Sequence, residues 1–305
     1  MRDRSVPDFT DVAIPVRSRG QELVIAGSST EPSGLRPDVI WLHANGFNAR
    51  TYRNTLAPLG DRLKVLAIDQ RGHGRTPQAA EAGGKRDALD MRDDLLALLD
   101  VVAPDRSVIL AGHSLGGCVS LLAAGEAPQR VRALALFDPV ILSQAATSAA
   151  RSGTGFAISE SPLVQKARGR RREFASRAEA FETYRRRSIF ATWPEQAVRD
   201  YIETGFRDLA SGGVELSCAP EWEAANFAAH GHDIWTAMSA ITAPVRIYRA
   251  DQGSTCSIVQ ASEFPRPAGQ VEVSTVPGAT HFLPIERPDL VRQALLDIET
   301  TPPGR

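Results

Sequence analysis

The ten residues Val108-Ile-Leu-Ala-Gly-His-Ser-Leu-Gly-Gly117 constrain this chain more than any others. An apolar, β-branched run enters Gly112-His113-Ser114-Leu115-Gly116, and small and apolar residues follow at helical spacing. That order reads as strand, sharp turn and helix, the setting in which a G-x-S-x-G pattern carries meaning. A serine at the centre of such a turn sits on strained backbone and lifts its hydroxyl above the sheet edge. The flanking glycines let neighbouring backbone pass without a Cβ clash. The amide of Leu115, first in the helix, would face any oxyanion formed on a substrate attached to Ser114. Ser114 is therefore the candidate nucleophile.

The rest of the chain supplies a matching frame. Short apolar runs at 39–43, 65–69, 108–112, 133–138, 245–250 and 271–276 suit strands buried on both faces. Between them, 87–102 carries Leu89, Leu95, Leu96, Leu98 and Leu99 at helical spacing, 115–127 reads as a small-residue helix, and 289–299 as a last amphipathic one. Two N-terminal runs, 12–17 and 22–26, look like an antiparallel pair. Strands alternating with helices predict an α/β fold around a parallel sheet. About a hundred residues between Asp138 and Val245 show no strand pattern. They are expected to form a helical lid over the C-terminal edge of the sheet, where such folds bind ligands. The expected division is a core of residues 1–139 and 240–305 with a lid of 140–239.

Composition excludes several classes. Lys+Arg 35 against Asp+Glu 36 leaves a formal charge of −1, without the basic excess of a nucleic-acid binder. No stretch approaches a membrane-spanning run of about 18 apolar residues. The first ten residues are polar and broken by Pro7, so no secretory signal is expected. Cys118, Cys218 and Cys256 are odd in number and far apart, which suits reduced thiols in the cytoplasm and matches no zinc pattern. Only three basic residues are lysines (Lys64, Lys85, Lys166), a bias that coding composition explains as well as binding would.

Three further segments join the elbow: Trp41-Leu-His-Ala-Asn-Gly-Phe47, Asp69-Gln-Arg-Gly-His-Gly74 and Gly278-Ala-Thr-His-Phe-Leu-Pro284. With these the chain, from about Val12 to Glu299, resembles the α/β-hydrolase fold family. The resemblance implies a mostly parallel eight-stranded sheet flanked by helices, with the lid inserted after the sixth strand. The first segment is similar to the family's oxyanion loop with Ala44 in place of the usual glycine; Asn45 is the favoured amide over Gly46 or Phe47. The second resembles a turn in which Asp69, Arg71 and His73 brace loops. The third resembles the loop carrying the catalytic histidine.

Of six histidines, His281 is the expected base, because it lies beyond the last strand in the chain order Ser, acid, His. His43 and His113 are tied to the two oxyanion loops. Together with Phe47 and Trp193 they are also the expected substrate contacts. His230 and His232 lack a third ligand at convincing spacing, so a polar turn is favoured over a metal site. No metal and no organic cofactor is expected. Two carboxylates compete as the acid. The family's usual position, counted from Pro244, falls on Gly253, with Asp251 two residues early; another branch places the acid about 24 residues past the nucleophile, where Asp138 lies. Asp138 is preferred and Asp251 stays open. Cys118 is expected to be an apolar filler one turn into the helix.

Charge in the lid is segregated: 151–187 holds ten basic and four acidic residues, 188–235 two and eight. The two halves either pair with each other or leave arginines such as Arg170, Arg171 and Arg172 for a carboxylate or phosphate on the substrate. These features together imply a serine hydrolase of carboxylic esters, lactones or thioesters, acting on a small molecule through a Ser-His-Asp triad and an acyl-enzyme. Carbon–carbon bond hydrolysis and cofactor-free perhydrolysis use the same triad, and a non-catalytic receptor uses the same scaffold. Pairing of two copies stays open as well.

Overall fold

The computed structural model describes residues 9–33, 35–76, 88–152, 161–265 and 270–301. Met1 to Asp8, Lys85, Asp87 at the start of the expected 87–102 helix, and Gly153–Gly155 lie outside the described residues.

Eight strands form the main sheet: β1 (Thr10–Ser18), β2 (Gln21–Ser29), β3 (Val39–Leu42), β4 (Val65–Ile68), β5 (Val108–His113), β6 (Val131–Phe137), β10 (Val245–Ala250) and β11 (Val271–Val276), in the order β1-β2-β4-β3-β5-β6-β10-β11. β1 and β2 are an antiparallel hairpin whose turn places Arg19 and Gly20 at positive φ. β2 pairs antiparallel with β4, and from β4 onward every neighbour is parallel. Side chains alternate between two cores, as the two-residue period of a strand requires. Ile40, Leu42, Leu66, Ile68, Leu110, Leu134 and Leu136 pack with the helices Leu89–Val102 and Leu115–Glu126. Val39, Trp41, Val65, Ala67, Ile109, Ala111, Ala135 and Phe137 meet the C-terminal helix Pro288–Glu299 on the other face.

The parallel strands all point the same way, so His43, Asp69, Ser114, Asp138, Asp251 and the loop after β11 share one edge. Over that edge runs the segment between β6 and β10, and it is not purely helical. Besides the helices Gln144–Ser152, Pro162–Arg168, Arg177–Arg185, Glu195–Gly205, Pro220–Ala228 and Ile234–Ala240, it contains a three-stranded antiparallel sheet: β7 (Glu173–Phe174), β8 (Phe206–Asp208) and β9 (Val214–Leu216), with β9 in the middle. Strands of two or three residues show no readable alternation, which is why the sequence pattern misses them.

Candidate active site

The turn at Ser114 is built by exclusion of volume. A Cβ on Gly116 would fall 2.2 Å from the carbonyl oxygen of Leu42, and one on Gly112 would fall 2.5 Å from the backbone of Gly116. With both glycines the helix closes directly onto β3 and β5. Ser114 itself takes φ 55° and ψ −118°, a conformation that L residues rarely adopt and that persists where surroundings enforce it.

Three side chains meet there. Ser114 Oγ lies 3.0 Å from His281 Nε2, and His281 Nδ1 lies 2.6 Å from Asp138 Oδ2. Asp138 is fully buried and also sits at positive φ, 43°. Its Oδ1 accepts from the Ala250 amide at 2.8 Å and from the Ser254 hydroxyl, and its Oδ2 from the Thr255 amide at 3.0 Å. Burial pushes the Asp138 pKa up, but the hydrogen bond and charge of His281, with the Ser254 and Ala250 donors, outweigh it and hold the carboxylate below its ordinary range. Asp251 stands apart from this line, its carboxylate accepting from the Gly278 amide at 3.1 Å.

On the loop after β3, the amides of Ala44, Gly46 and Phe47 are occupied: Ala44 donates to Tyr52 Oη, Gly46 to His73 Nε2 and Phe47 to the Ala44 carbonyl, each at 3.1 Å. Among the described residues no acceptor meets the Asn45 amide. Leu115 starts its helix, so its amide has no carbonyl one turn earlier. The Asn45 side chain is held from the insertion, donating to the Glu223 carbonyl and accepting from Asn226 Nδ2, both at 2.9 Å.

Two expected substrate contacts require correction. His43 and His113 are fully buried with both ring nitrogens engaged internally, so neither faces the space above Ser114. His43 Nδ1 donates to the Ala44 carbonyl at 2.7 Å, while its Nε2 accepts from the Gln70 amide at 2.9 Å. Burial pushes the His43 pKa down to about 4, partly offset by that carbonyl. His113 bridges Tyr52 and the His281 carbonyl. The Phe47 and Trp193 rings lie 5.2 Å apart and both touch Phe282, which lies 5.8 Å from the His281 ring.

The turn after β4 is a brace. Asp69 accepts from the amides of Ala49 and Arg75, and Arg71 makes a two-pronged bond to Asp94 at 2.6 and 2.8 Å. In the insertion, arginines of the basic half pair mainly with the acidic half: Arg170 with Glu223, Arg172 with Glu215, Arg177 with Asp208 and Arg151 with Asp233. Arg171 pairs with Glu179. The arginine triplet is thus engaged within the insertion. Arg170 also donates to the hydroxyls of Tyr184 and Tyr201. Cys118, buried as expected, is more than filler: its Sγ lies 3.2 Å from His232 Nε2. Among the described residues no group of three or more His, Cys, Asp or Glu side chains could hold a metal ion. Nor is any helix among them long and apolar enough to cross a membrane.

Sequence reasoning overlooks Tyr52, Glu223, Asn226, Ser254 and Thr255. Apart from Ala44, eight residues before Tyr52, their partners lie far along the chain, so no local spacing announces them.

The sheet order, the elbow and the loop positions define an α/β-hydrolase. The sequence profile of the alpha/beta hydrolase family matches residues 39–294, and the chain belongs to that family. It is similar to 2-(acetamidomethylene)succinate hydrolase of Mesorhizobium japonicum, 27% identical over 265 residues, covering 86% of this chain and 87% of that protein. The crystal structure of an E-2-(acetamidomethylene)succinate hydrolase superposes with a TM-score of 0.74 at 22% identity, covering 95% of this chain and 100% of the other. That of an esterase from Mycobacterium tuberculosis superposes with a TM-score of 0.68 at 21% identity, covering 95% and 92%.

Proposed function

We propose that this hydrolase cleaves a carboxylic ester, lactone or thioester of a small molecule through an acyl-enzyme on Ser114. The observation that carries the reading is the unbroken hydrogen-bonded line from Ser114 Oγ through His281 to Asp138, at 3.0 and 2.6 Å. His281 Nε2 takes the serine proton as Oγ attacks the substrate carbonyl. Asp138 accepts from Nδ1–H, fixing the tautomer and stabilising the imidazolium that forms. The oxyanion rests on the free amides of Asn45 and Leu115. His281 then protonates the leaving group, and water, deprotonated by the same imidazole, releases the acid. Phe47, Trp193 and Phe282 form an apolar wall for the acyl or leaving group. The insertion over this edge acts as the lid, and three buried free thiols fit a cytoplasmic setting.

Exposure to a fluorophosphonate, followed by peptide mass mapping, tests the reading. Rapid modification of Ser114 is the expected result, together with hydrolysis of at least one compound in a panel of p-nitrophenyl esters, lactones and acyl thioesters. A folded protein whose Ser114 stays unmodified would make the scaffold a binding protein instead.

A further inference from the structure

Tyr52 lies in the turn after the oxyanion loop, fully buried, and its hydroxyl is the meeting point of two segments. It lies 3.1 Å from the Ala44 amide and 2.8 Å from His113 Nδ1. The other nitrogen of that ring, His113 Nε2, lies 2.6 Å from the His281 backbone carbonyl. Counting protons leaves one arrangement. A carbonyl only accepts, so Nε2 must carry hydrogen. Burial, then the neighbouring His281, drive the His113 pKa far below its ordinary value, so the ring is neutral and Nδ1 is bare. The Tyr52 O–H therefore donates to Nδ1, and its oxygen accepts from Ala44. An imidazolium at position 113 would leave the Tyr52 proton with no acceptor here. It would also set a positive ring 4.9 Å from His281, where another positive charge has to form during the reaction.

We propose that Tyr52 is a positioning residue. A one-way chain of hydrogen bonds, Ala44 N–H to Tyr52 O–H to His113, and His113 Nε2–H to the His281 carbonyl, holds the oxyanion loop, the nucleophile turn and the base loop in one register. This inference rests on the reading of Ser114, His281 and the Asn45 amide given above. It adds that the peptide joining His43 to Ala44, the one before the peptide that carries the Asn45 amide, is held by a hydroxyl that never touches substrate. The Ala44 amide sits one residue before the amide that receives the oxyanion, so slack at Tyr52 reaches the oxyanion donor through the Ala44 Cα, against the bonds that His43 Nδ1 and the Phe47 amide make to the Ala44 carbonyl.

Two measurements test it. Nitrogen-15 NMR of the wild-type imidazoles between pH 5 and 9 is expected to show His113 permanently as the Nε2–H tautomer; an Nδ1–H tautomer, or an imidazolium in that range, would overturn the chain. Kinetics follow on variants of the whole protein. Tyr52→Phe is expected to lower kcat about tenfold to a hundredfold, the scale of a misplacement near 1 Å, with KM within about twofold. Fluorophosphonate modification of Ser114 should slow in parallel. His113→Gln keeps a donor and an acceptor and should retain more of kcat than His113→Leu. A Tyr52→Phe enzyme with unchanged kcat, a loss confined to KM, or equal losses for the two His113 variants would each sink the proposal. An unmodified, inactive wild type would instead count against the esterase reading, and the tautomer would still decide whether the chain of bonds exists.

Discussion

The core and the insertion bury polar groups by opposite means. In the core, His43, His113 and Tyr52 are buried uncharged, and each ring nitrogen and the hydroxyl meets a partner of fixed donor or acceptor sense. In the insertion, Arg170 is held against Glu223 and two tyrosine hydroxyls. Burial works against its charge, but Tyr201, Glu223 and Tyr184 raise its pKa well above the ordinary value. Neutral pairs cost little desolvation and fix direction; a buried ion pair costs much and becomes a liability once one member is lost. The two regions meet on the loop after β3. Tyr52 grips it from the core at Ala44, whereas Glu223 and Asn226 grip the Asn45 side chain from the insertion. Gly46 has φ +75°, and a Cβ there would fall 2.6 Å from the Glu223 carboxylate. The loop after β3 is therefore held from the core through Tyr52 and from the insertion through the Glu223 carbonyl and Asn226, with the Glu223 carboxylate packed against Gly46.

The largest expected effect lies on the core side, at the acid. An amide in place of the true acid keeps its shape but donates where it should accept, trapping the wrong histidine tautomer at a cost of about 10⁴ in turnover. Asp138→Asn is expected to lose on that order, while Asp251→Asn, whose carboxylate accepts from the Gly278 amide in a turn, should lose less than about tenfold. Rates on one activated ester, measured on both folded variants, decide it. The reverse ranking would detach the buried Asp138 cluster from catalysis.

On the insertion side the strongest test is Glu223→Gln, which leaves the Arg170 guanidinium buried without its counter-ion. Breaking a buried pair from one side typically costs about 3–5 kcal/mol, and a loss of that size is expected in urea unfolding. Replacing both members, Arg170→Met with Glu223→Leu, should recover much of it, because the penalty belongs to the orphaned charge. If the double variant is as unstable as the sum of the singles, the pair is not the cause.

Acid sharpens the contrast from the core side. Folded His43 takes a proton only near pH 4, whereas the unfolded chain takes one near 6.5. Between those values the unfolded state binds more protons, so stability present at pH 7 is lost as pH falls. His43 alone contributes a loss on the order of 3 kcal/mol across that window, and buried His113 acts in the same direction. Carboxylates with lowered pKa, Asp138 among them, act only below about 4.5, and Asp200, raised by burial, acts in the opposite sense, so the histidines are the groups that lose stability in the upper part of the window. Unfolding free energies that stay flat from pH 7 to 5 would contradict the neutral, buried assignment.

What the sequence makes legible follows the same divide. The elbow is readable because strand, glycines, serine and helix are contiguous, and each constrains its neighbour. The carboxylate beside His281 is readable only as a choice between Asp138 and Asp251, since Asp138 is held there by Ala250, Ser254 and Thr255, which lie more than a hundred residues away. His281 is readable from chain order, whereas Tyr52 is not, because a tyrosine in a buried turn looks like any core aromatic. The loops that carry His43 and His113 bring them near the site, but loop membership does not say which way a ring points. In the insertion, charge segregation is visible by counting, and pairing follows from it in general terms. The particular residues that hold the Asn45 side chain, Glu223 through its carbonyl and Asn226 through its amide, are not visible, for they read no differently from the polar residues beside them.

The smallest expected effect concerns those exposed neighbours. Arg171 is half exposed against Glu179, and Arg172 and Arg207 share the carboxylate of Glu215 at the rim of the small sheet. Such pairs gain little in high dielectric and lose side-chain entropy, so each contributes at most about 1 kcal/mol. Arg171→Gln and Arg172→Gln should therefore change stability by less than that, and any change should shrink in high salt. If they act only as partners for Glu179 and Glu215, a neutral ester and one bearing a carboxylate will feel each substitution equally. A KM that rises for the carboxylated substrate alone would give these arginines a part in substrate recognition, and the insertion would then contribute charge to the site rather than only a clamp on its oxyanion loop.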